Sequence, residues 1–487
     1  MSHNRPAAPI SADVHTVAGR ARGLDAAGML TIYSVLLIAL PSGSTIAGLG
    51  GLGRPSVLWG LLLLFWWLLS KLQARGHDAP PVSQPVRYAF GAFVVIVLVT
   101  FAAAMLRGQP ADQISPATTA LLRLASWGGV LLVAMDGIRT YADAAKLVRR
   151  LAIAGGALAG LGLAQFATGQ SLLDWVSYIP GLAADTSGVA TRGAFTRASG
   201  TALHPLEYGV VVVAALPLAI TTAVNKGFRT RPSPSAGWWW LPVALILTAS
   251  MVTVSRSALI GLAVAVLASL PAIPVAYRWV IGGLGTAAAV AVFALVPGMF
   301  GTVVNLFVGA SDDPSTQSRT AALARVPDFI ASSPLIGQGF GTFLPRYYIF
   351  DNGWVLLTVE VGLLGIAALA GTAVLAIGTA LWAGQHSPFD DLRAMSRALA
   401  ASLLTIAVLF AFFDGFSFSM SAGLFFLTVG LTAAVRTVAA ADRPTALATA
   451  AAVRPEIMDR TPVGQDAVAL RADRHSVFAH LGSPRTT

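Results

Sequence analysis

The feature that most limits this chain is the recurrence of long uncharged stretches, such as VLWGLLLLFWWLLS from Val57 and LPVALILTASMVTV from Leu241. In hydrocarbon, a helix of about 20 apolar residues satisfies all its own backbone N–H and C=O groups, so such stretches read as membrane spans. About twelve of them follow one another along the chain. They begin near Met29 and Ser56, cover approximately 88–106, 118–137 and 151–169, and begin again near Leu206, Trp238, Ser257, Trp279, Asp351, Ala398 and Phe418. The expected fold is therefore an all-α polytopic membrane protein with about 12 transmembrane helices. Composition agrees, with 55% hydrophobic residues, 11% charged and a mean hydropathy of +0.72.

Two polar interruptions, at about 170–205 and 301–350, break the series and are expected to be long extracytoplasmic loops containing short helices. Residues 1–28 form an N-terminal segment expected in the cytoplasm, and 29–435 the transmembrane domain. Residues 436–487, rich in Ala, Pro and Arg without sustained periodicity, are expected to be a disordered cytoplasmic tail. Of the 32 basic residues, 23 fall on one side of this topology and 9 on the other. Basic residues near span ends are retained inside, which puts both termini in the cytoplasm and both interruptions outside the plasma (inner) membrane. A cleaved-signal reading of MLTIYSVLLIAL would leave that topology unchanged, and an uncleaved first span is expected.

No cysteine occurs, which excludes disulfides and thiolate metal sites. The net charge of +10 is accounted for by basic cytoplasmic loops, so nucleic acid is not an expected partner. All three lysines lie on the inner side of this topology, and every outer basic residue is an arginine. A guanidinium stays charged in partly dry surroundings and grips phosphate with a bidentate fork, although a general bias towards arginine gives the same count.

Position separates these readings. Arg256, in TASMVTVSRSALIGL, stands between two apolar spans with almost no loop. It is either a snorkelling anchor or an anion site facing an internal cavity, with Ser255 and Ser257 as neighbouring hydroxyls or caps. In RASGTALHPLEYG, Arg197 and His204 flank a turn at Gly200, and Glu207 follows three residues after the histidine. A neutral imidazole beside a carboxylate accepts a proton near neutral pH; a hydrogen-bonded structural histidine is the plainer alternative. Asp313 before Pro314 reads as a helix cap and first helical residue, which also explains Asp312–Asp313 better than a metal pair does. On the helix that follows, Arg319 and Arg325 stand ~120° apart, so one faces the substrate and the other holds the helix to its surroundings. GQGFG, from Gly337, lacks the strand and helix of a dinucleotide loop and reads as a turn. Asp351 and Asn352 stand at the mouth of a span, where a helix cap is the alternative to a catalytic role.

Taken in order, RASGTALHP, TVSRSALIGL, RTAALARVPDFIASSPLIGQGFGTF and DNGWVLLTVEVGLLGI resemble the bacterial O-antigen ligase and O-antigen polymerase family. The resemblance covers the chain from about the sixth to the eleventh span. It implies an integral-membrane glycosyltransferase with a GT-C-like fold, working on the outer face with a glycan carried on undecaprenyl diphosphate. Ligases of that family pass the glycan to a lipid or other acceptor, and polymerases pass it to another lipid-linked repeat in making cell-envelope or exopolysaccharide polymers. Arg197 and His204 match the arginine and His-Pro of the first motif, Arg256 the second, and Arg319 the arginine before the Pro-Leu-Ile-Gly turn. Many ligases carry His-Asn or His-Ser where this chain has Asp351–Asn352, so the base expected here is Asp351 or His204.

The resemblance implies partners as well: a polyprenyl-diphosphate-linked glycan, a glycan or lipid acceptor, membrane lipids and other envelope polysaccharide assembly proteins. Arg256 and Arg319, with Arg197, are expected to neutralise the departing diphosphate, with Glu207, Arg325 and Asn352 in supporting places. No cofactor or metal is expected, since no carboxylate cluster with metal spacing stands outside. A lipid-linked oligosaccharide transporter of the flippase type also suits about twelve spans, but repeated halves and midplane ionisable residues are not evident: Asp136, Glu360 and Asp414 lie towards span ends. A structural scaffold would leave the outer arginines without a task.

Overall fold

The computed structural model describes residues 25–73, 82–184, 190–192, 195–228, 236–308 and 314–460, with 442–460 as backbone only. Fourteen α-helices account for most of them: α1 (Ala26–Ile38), α2 (Pro55–Gln73), α3 (Pro85–Leu106), α4 (Ala111–Gly137), α5 (Tyr141–Thr168), α6 (Pro205–Val224), α7 (Trp240–Val252), α8 (Arg256–Ser269), α9 (Val275–Leu295), α10 (Met299–Val308), α11 (Pro314–Ile330), α12 (Gly353–His386), α13 (Asp390–Leu409) and α14 (Ser419–Arg460). Two small antiparallel ladders complete the described fold, β1 (Thr45–Ile46) with β2 (Leu182–Ala183) and β3 (Ala190–Arg192) with β4 (Phe195–Arg197). Among the described residues, nine helices are long and apolar enough to cross a membrane, and three further apolar helices (Ala26–Ile38, Ala236–Val252 and Arg256–Ala272) are shorter. The chain is an all-α polytopic membrane protein.

Helix starts follow local chemistry. Asp25 accepts the Ala27 N–H, Thr140 the Asp143 N–H, and Pro85 and Pro205 occupy first-turn positions where a missing N–H does no harm. Between apolar helices in lipid, close packing of small residues replaces the hydrophobic drive. Gly129 on α4 lies so near α2 that a Cβ there would come within 2.4 Å of the Gly60 carbonyl oxygen. Helix α6 sits at the centre, packed by α5, α7, α8 and α13, and is buried along nearly its whole length.

The two ends of the bundle differ in chemistry. At one end Asp136 gathers Lys71, Arg87 and the Trp67 indole, Arg149 donates to the Gly227 carbonyl, and Arg397 donates to that of Pro271. At the other end the connections are stitched to each other: Ser42 N–H to Thr201 O at 2.8 Å, Gly353 N–H to Phe410 O at 2.8 Å, and Gln113 to the Tyr347 hydroxyl.

Helix α12 is interrupted near its start, where Gly362 has φ 70° and ψ −175°. The turn 334–339 fills this break. Gln338 and Gly339 donate to the carbonyls of Val359 and Glu360, while Leu363 and Leu364 donate back to those of Pro334 and Leu335. Thr100 of α3 and Arg107, which follows that helix, donate to the carbonyls of Ile336, Gly337 and Gln338. The expected loop at Gly337 is thus a wedge inside the helix rather than a free turn, because a helix broken among apolar neighbours must find other partners for its backbone.

The expectation of disorder from residue 436 fails at its beginning. Helix α14 runs on through Arg436, and Val438 and Ala439 are buried in the bundle, as an Ala-rich sequence favours. Residues 1–24 and 461–487, and with them the rest of both expected terminal segments, lie outside the described residues, as do Asp312 and the cap expected at Asp313.

A Cβ at Gly362 would meet the Leu335 carbonyl oxygen at 2.3 Å in a left-handed conformation, whereas one at Gly371 on the same helix would meet nothing within 4 Å. Gly362→Ala is therefore expected to destabilise the purified protein by about 2–4 kcal/mol, and Gly371→Ala to leave its thermal unfolding unchanged. Equal midpoints for the two variants would contradict the wedge.

Candidate active site

A cavity of about 490 Å³ opens at the stitched end of the bundle. Its polar wall carries Arg123 from α4, His204 before α6, Asp351 before α12, Glu360 from α12 and Asp414 between α13 and α14. Its apolar wall includes Phe93, Trp127 and Phe426, with the Trp127 and Phe426 rings stacked at 5.3 Å.

The segment bearing Arg197 and His204 is anchored by Gln165, which is buried. Its Oε1 accepts the N–H groups of Ser199 (3.2 Å) and Gly200 (2.7 Å), and its Nε2 donates to the Gly200 carbonyl at 2.9 Å. Gly200 adopts φ 57° against Tyr208 and Leu158, where a Cβ would lie 2.6 Å from a leucine methyl; only glycine turns the chain there. His204 then caps α6, its Nδ1 accepting the Leu206 N–H at 3.1 Å. A nitrogen that accepts an N–H bears no proton, so neutral His204 carries its proton on Nε2. Burial, then the Arg197 charge, push the imidazole pKa down against the opposing pull of Asp351. His204 is thus a neutral donor at its outer nitrogen. Of the two bases expected, His204 thus has its proton-free nitrogen engaged by the helix, whereas Asp351 does not cap α12.

Glu207 is fully buried and does not serve the histidine. Its Oε2 accepts from the Ser42 hydroxyl (2.8 Å) and the Leu203 N–H (3.0 Å), and its Oε1 from the Met420 N–H (2.8 Å). The carboxylate joins three segments at this end of the bundle and stands near the Arg54 guanidinium, whose pKa burial lowers and Glu207 raises.

At the mouth of α12 the capping role falls to Asn352, whose Oδ1 accepts the N–H groups of Trp354 (3.1 Å) and Val355 (3.2 Å). Asn352 is structural, and Asp351 is left to line the cavity. Asp414 adds a second carboxylate: one oxygen takes the Ser417 hydroxyl, and the other is buried without a hydrogen-bond partner among the described residues. Burial first, and the Asp351 charge as a lesser cause, raise the Asp414 pKa to about 6. Glu360, at the break in α12, lies against the backbone N–H groups of Gly341 and Phe343. Among the described residues no group of three or more His, Asp or Glu has the arrangement of a metal site.

The three arginines expected to face a diphosphate are not among the residues that line the cavity, though each stands near one that is. Arg319 donates to the Phe412 carbonyl at 3.0 Å, next to the cavity residue Phe413. Arg197 acts electrostatically on His204. Arg256 opens α8 between Ser255 and Ser257, which share a small recess with the cavity residues Leu206 and Phe413. Arg325 is exposed and stacks over the Tyr348 ring at 5.4 Å, tying α11 to the segment that leads into α12. Reasoning from sequence passed over Arg54 and Arg123. The signal was present for the second, a single cation inside the apolar run ATTALLRLASWGGVLLVAMDG.

Comparison with known proteins adds three findings. Residues 241–370, from α7 into α12, match the family model described as O-antigen ligase. None of the curated proteins matches the chain. A chain from a structure described as "Structural coordination of polymerization and crosslinking by a peptidoglycan synthase complex" is similar at 16% identity and a TM-score of 0.37, covering 74% of this chain and 97% of that one. A likeness that weak carries no functional argument. The matched segment contains Arg256, Arg319, Asp351 and the wedge in α12, and over that segment the chain is similar to the O-antigen ligase family.

Proposed function

We propose that this protein is a glycosyltransferase that transfers or polymerises a polyprenyl-diphosphate-linked glycan on the outer face of the plasma (inner) membrane. The observation that carries this reading is the cavity wall shared by His204, Asp351 and Arg123, at the end of a membrane bundle that includes the segment matched by the O-antigen ligase family model. With the three shorter apolar helices counted as spans, the chain crosses the membrane twelve times. Both termini then lie with the basic end in the cytoplasm, and the cavity faces outward.

In the proposed reaction an acceptor hydroxyl attacks the anomeric carbon of the donor sugar, forming a carbon–oxygen bond. The bond from that carbon to the diphosphate oxygen breaks with its electron pair. The hydroxyl proton passes to Asp351, whose carboxylate is not consumed in capping α12. His204 holds the acceptor or a phosphate oxygen through its Nε2–H, and Arg197, Arg256 and Arg319 stabilise the negative charge that develops on the leaving diphosphate. Asp414 supplies a second carboxyl group beside Asp351 on the cavity wall. The partners are the lipid-linked donor, a glycan or lipid acceptor and the surrounding lipids, together with other envelope polysaccharide assembly proteins.

Incubating the purified protein with a prenyl-diphosphate oligosaccharide, with and without a separate acceptor and with chelator present, tests this reading. Longer chains on the same lipid mean polymerisation, glycan on a different molecule means ligation, and translocation in vesicles without covalent change supports a transporter instead. Asp351→Asn is expected to lower the transfer rate by about 10²-fold or more, the usual scale of general-base catalysis. Arg256→Ala is expected to raise the barrier by about 3–4 kcal/mol while the protein still inserts and elutes as wild type; normal polymer from either variant would remove its assigned role.

The rate should be flat around pH 7–8, because His204 is already neutral there, and fall only below ~6.5. Protonation of Asp414 near pH 6 contributes to that acid limb, so Asp414→Asn should move the limb to lower pH. A wild-type limb centred above pH 7 would contradict these assignments.

A further inference from the structure

A second cavity, of about 440 Å³, lies between α1 and α5 and shares no lining residue with the candidate active site. Its walls are almost wholly apolar, with Val35 and Ile38 from α1, Ala157 and Leu161 from α5, and Trp175 from the loop after α5. Val35, Ala157 and Trp175 are exposed, so the cavity is a groove open on the outside of the bundle. The three hydroxyls on its walls, of Thr31, Ser34 and Thr201, each donate to a backbone carbonyl of α1. Arg150 is its one charged residue.

Arg150 donates to the Thr31 hydroxyl, and among the described residues no other hydrogen bond or ion pair engages it. Most of the N–H donors of its guanidinium are therefore left for another partner. The carboxylate at this end of the groove, Asp25, is committed to Lys146 at 3.0 Å, and the neighbouring Arg149 donates to the Gly227 carbonyl. A cation beside hydrocarbon is costly unless an anion meets it. The groove thus joins an apolar channel to an unsatisfied positive head, which is the complement of an anionic amphiphile.

Its dimensions fit one lipid chain. Helix α5 has 28 residues, about 42 Å, against a hydrocarbon core of ~30 Å, so its first turns project and the Arg150 guanidinium lies within snorkelling reach of the interface. From Arg150 to Leu161 the groove follows α5 for about 16 Å, half the thickness of that core and the depth that the chains of one leaflet fill. We propose that this groove binds an acidic phospholipid, with one acyl chain between α1 and α5 and the phosphate on Arg150. The phosphate gives the guanidinium a bidentate acceptor. A zwitterionic headgroup would bring its own ammonium beside Lys146, Arg149 and Arg150, whereas a phosphatidylglycerol headgroup adds no cation. The site is independent of the proposed transfer reaction.

Titrating the full-length protein, stripped of lipid in detergent, tests this without turnover. The probes are dioleoyl phosphatidylglycerol, dioleoyl phosphatidylcholine and glycerol phosphate, with bound lipid counted by native mass spectrometry and the unfolding midpoint followed alongside. The wild type is expected to retain one equivalent of phosphatidylglycerol and to unfold at a higher temperature with it. Phosphatidylcholine, and glycerol phosphate without chains, should each bind at least about tenfold more weakly. Arg150→Gln should weaken phosphatidylglycerol by about tenfold or more. Ala157→Phe, which fills the groove from an exposed position, should do the same while Arg150 remains. Arg139→Gln removes the same charge at the same end but outside the groove, and should bind as the wild type does. The unfolding midpoint of each variant without lipid reports that it is folded. Equal binding of the two phospholipids, wild-type affinity in Arg150→Gln or Ala157→Phe, or an equal loss in Arg139→Gln would overturn the proposal. A lipid-free dimer that Ala157→Phe dissociates would also overturn it and assign the groove to a second copy of the chain.

Discussion

Among apolar helices a backbone amide has no water to turn to, and the cavity exists because this rule is met at the break in α12 by another stretch of the same chain. The turn 334–339 supplies donors to Val359 and Glu360 and acceptors to Leu363 and Leu364. With the turn locked there, the residues after it, from Phe340 to Phe350, are held over the mouth of α12 as a cavity wall. Asp351, just before α12, and Glu360, within it, then face one space. Remove the wedge and the helix has either an unpaired break or a straight course that would carry these carboxylates apart.

Around that frame, charge is sorted by short-range devices. Asn352 takes the N-cap and so releases Asp351; Gln165 grips the turn before His204; Glu207 ties α6 to α14. The outcome is a cavity lined by the acidic groups of Asp351, Asp414 and Glu360 together with Arg123, with Arg319 held close by at the Phe412 carbonyl. A transfer in which a proton leaves towards a carboxylate while negative charge grows on a departing diphosphate fits such a mixture of acidic and basic groups, because fixed charges need no rearrangement as the reaction proceeds.

Much of the architecture was legible in the sequence because hydrophobic length is a local property. The helices fall where the apolar runs stand, and the arginine-bearing motifs of the later spans share the family segment that the comparison matched. Local reading failed where partners come from far along the chain. Nothing near His204 tells that its Nδ1 caps the helix, and nothing near Glu207 announces Ser42 and Met420, which lie 165 and 213 residues away. The GQGFG turn looked free because its partners belong to a helix that follows it and is broken only by Gly362. Arg123 was visible as a charge in an apolar run, but the approach of Arg54 from another connection was not. The tail boundary was misplaced because Ala-rich composition was weighed as low complexity rather than as helix propensity.

The central claim is that the cavity bounded by His204, Asp351 and the surrounding arginines is where a lipid diphosphate meets its acceptor. The most direct measurement is a cryo-electron microscopy map of the full-length protein with a non-transferable phosphonate analogue of a prenyl-diphosphate sugar. The account predicts density for the phosphonate among Arg197, Arg256 and Arg319, with the sugar directed at Asp351. Density for the headgroup on another face of the bundle, with this cavity empty, would contradict it.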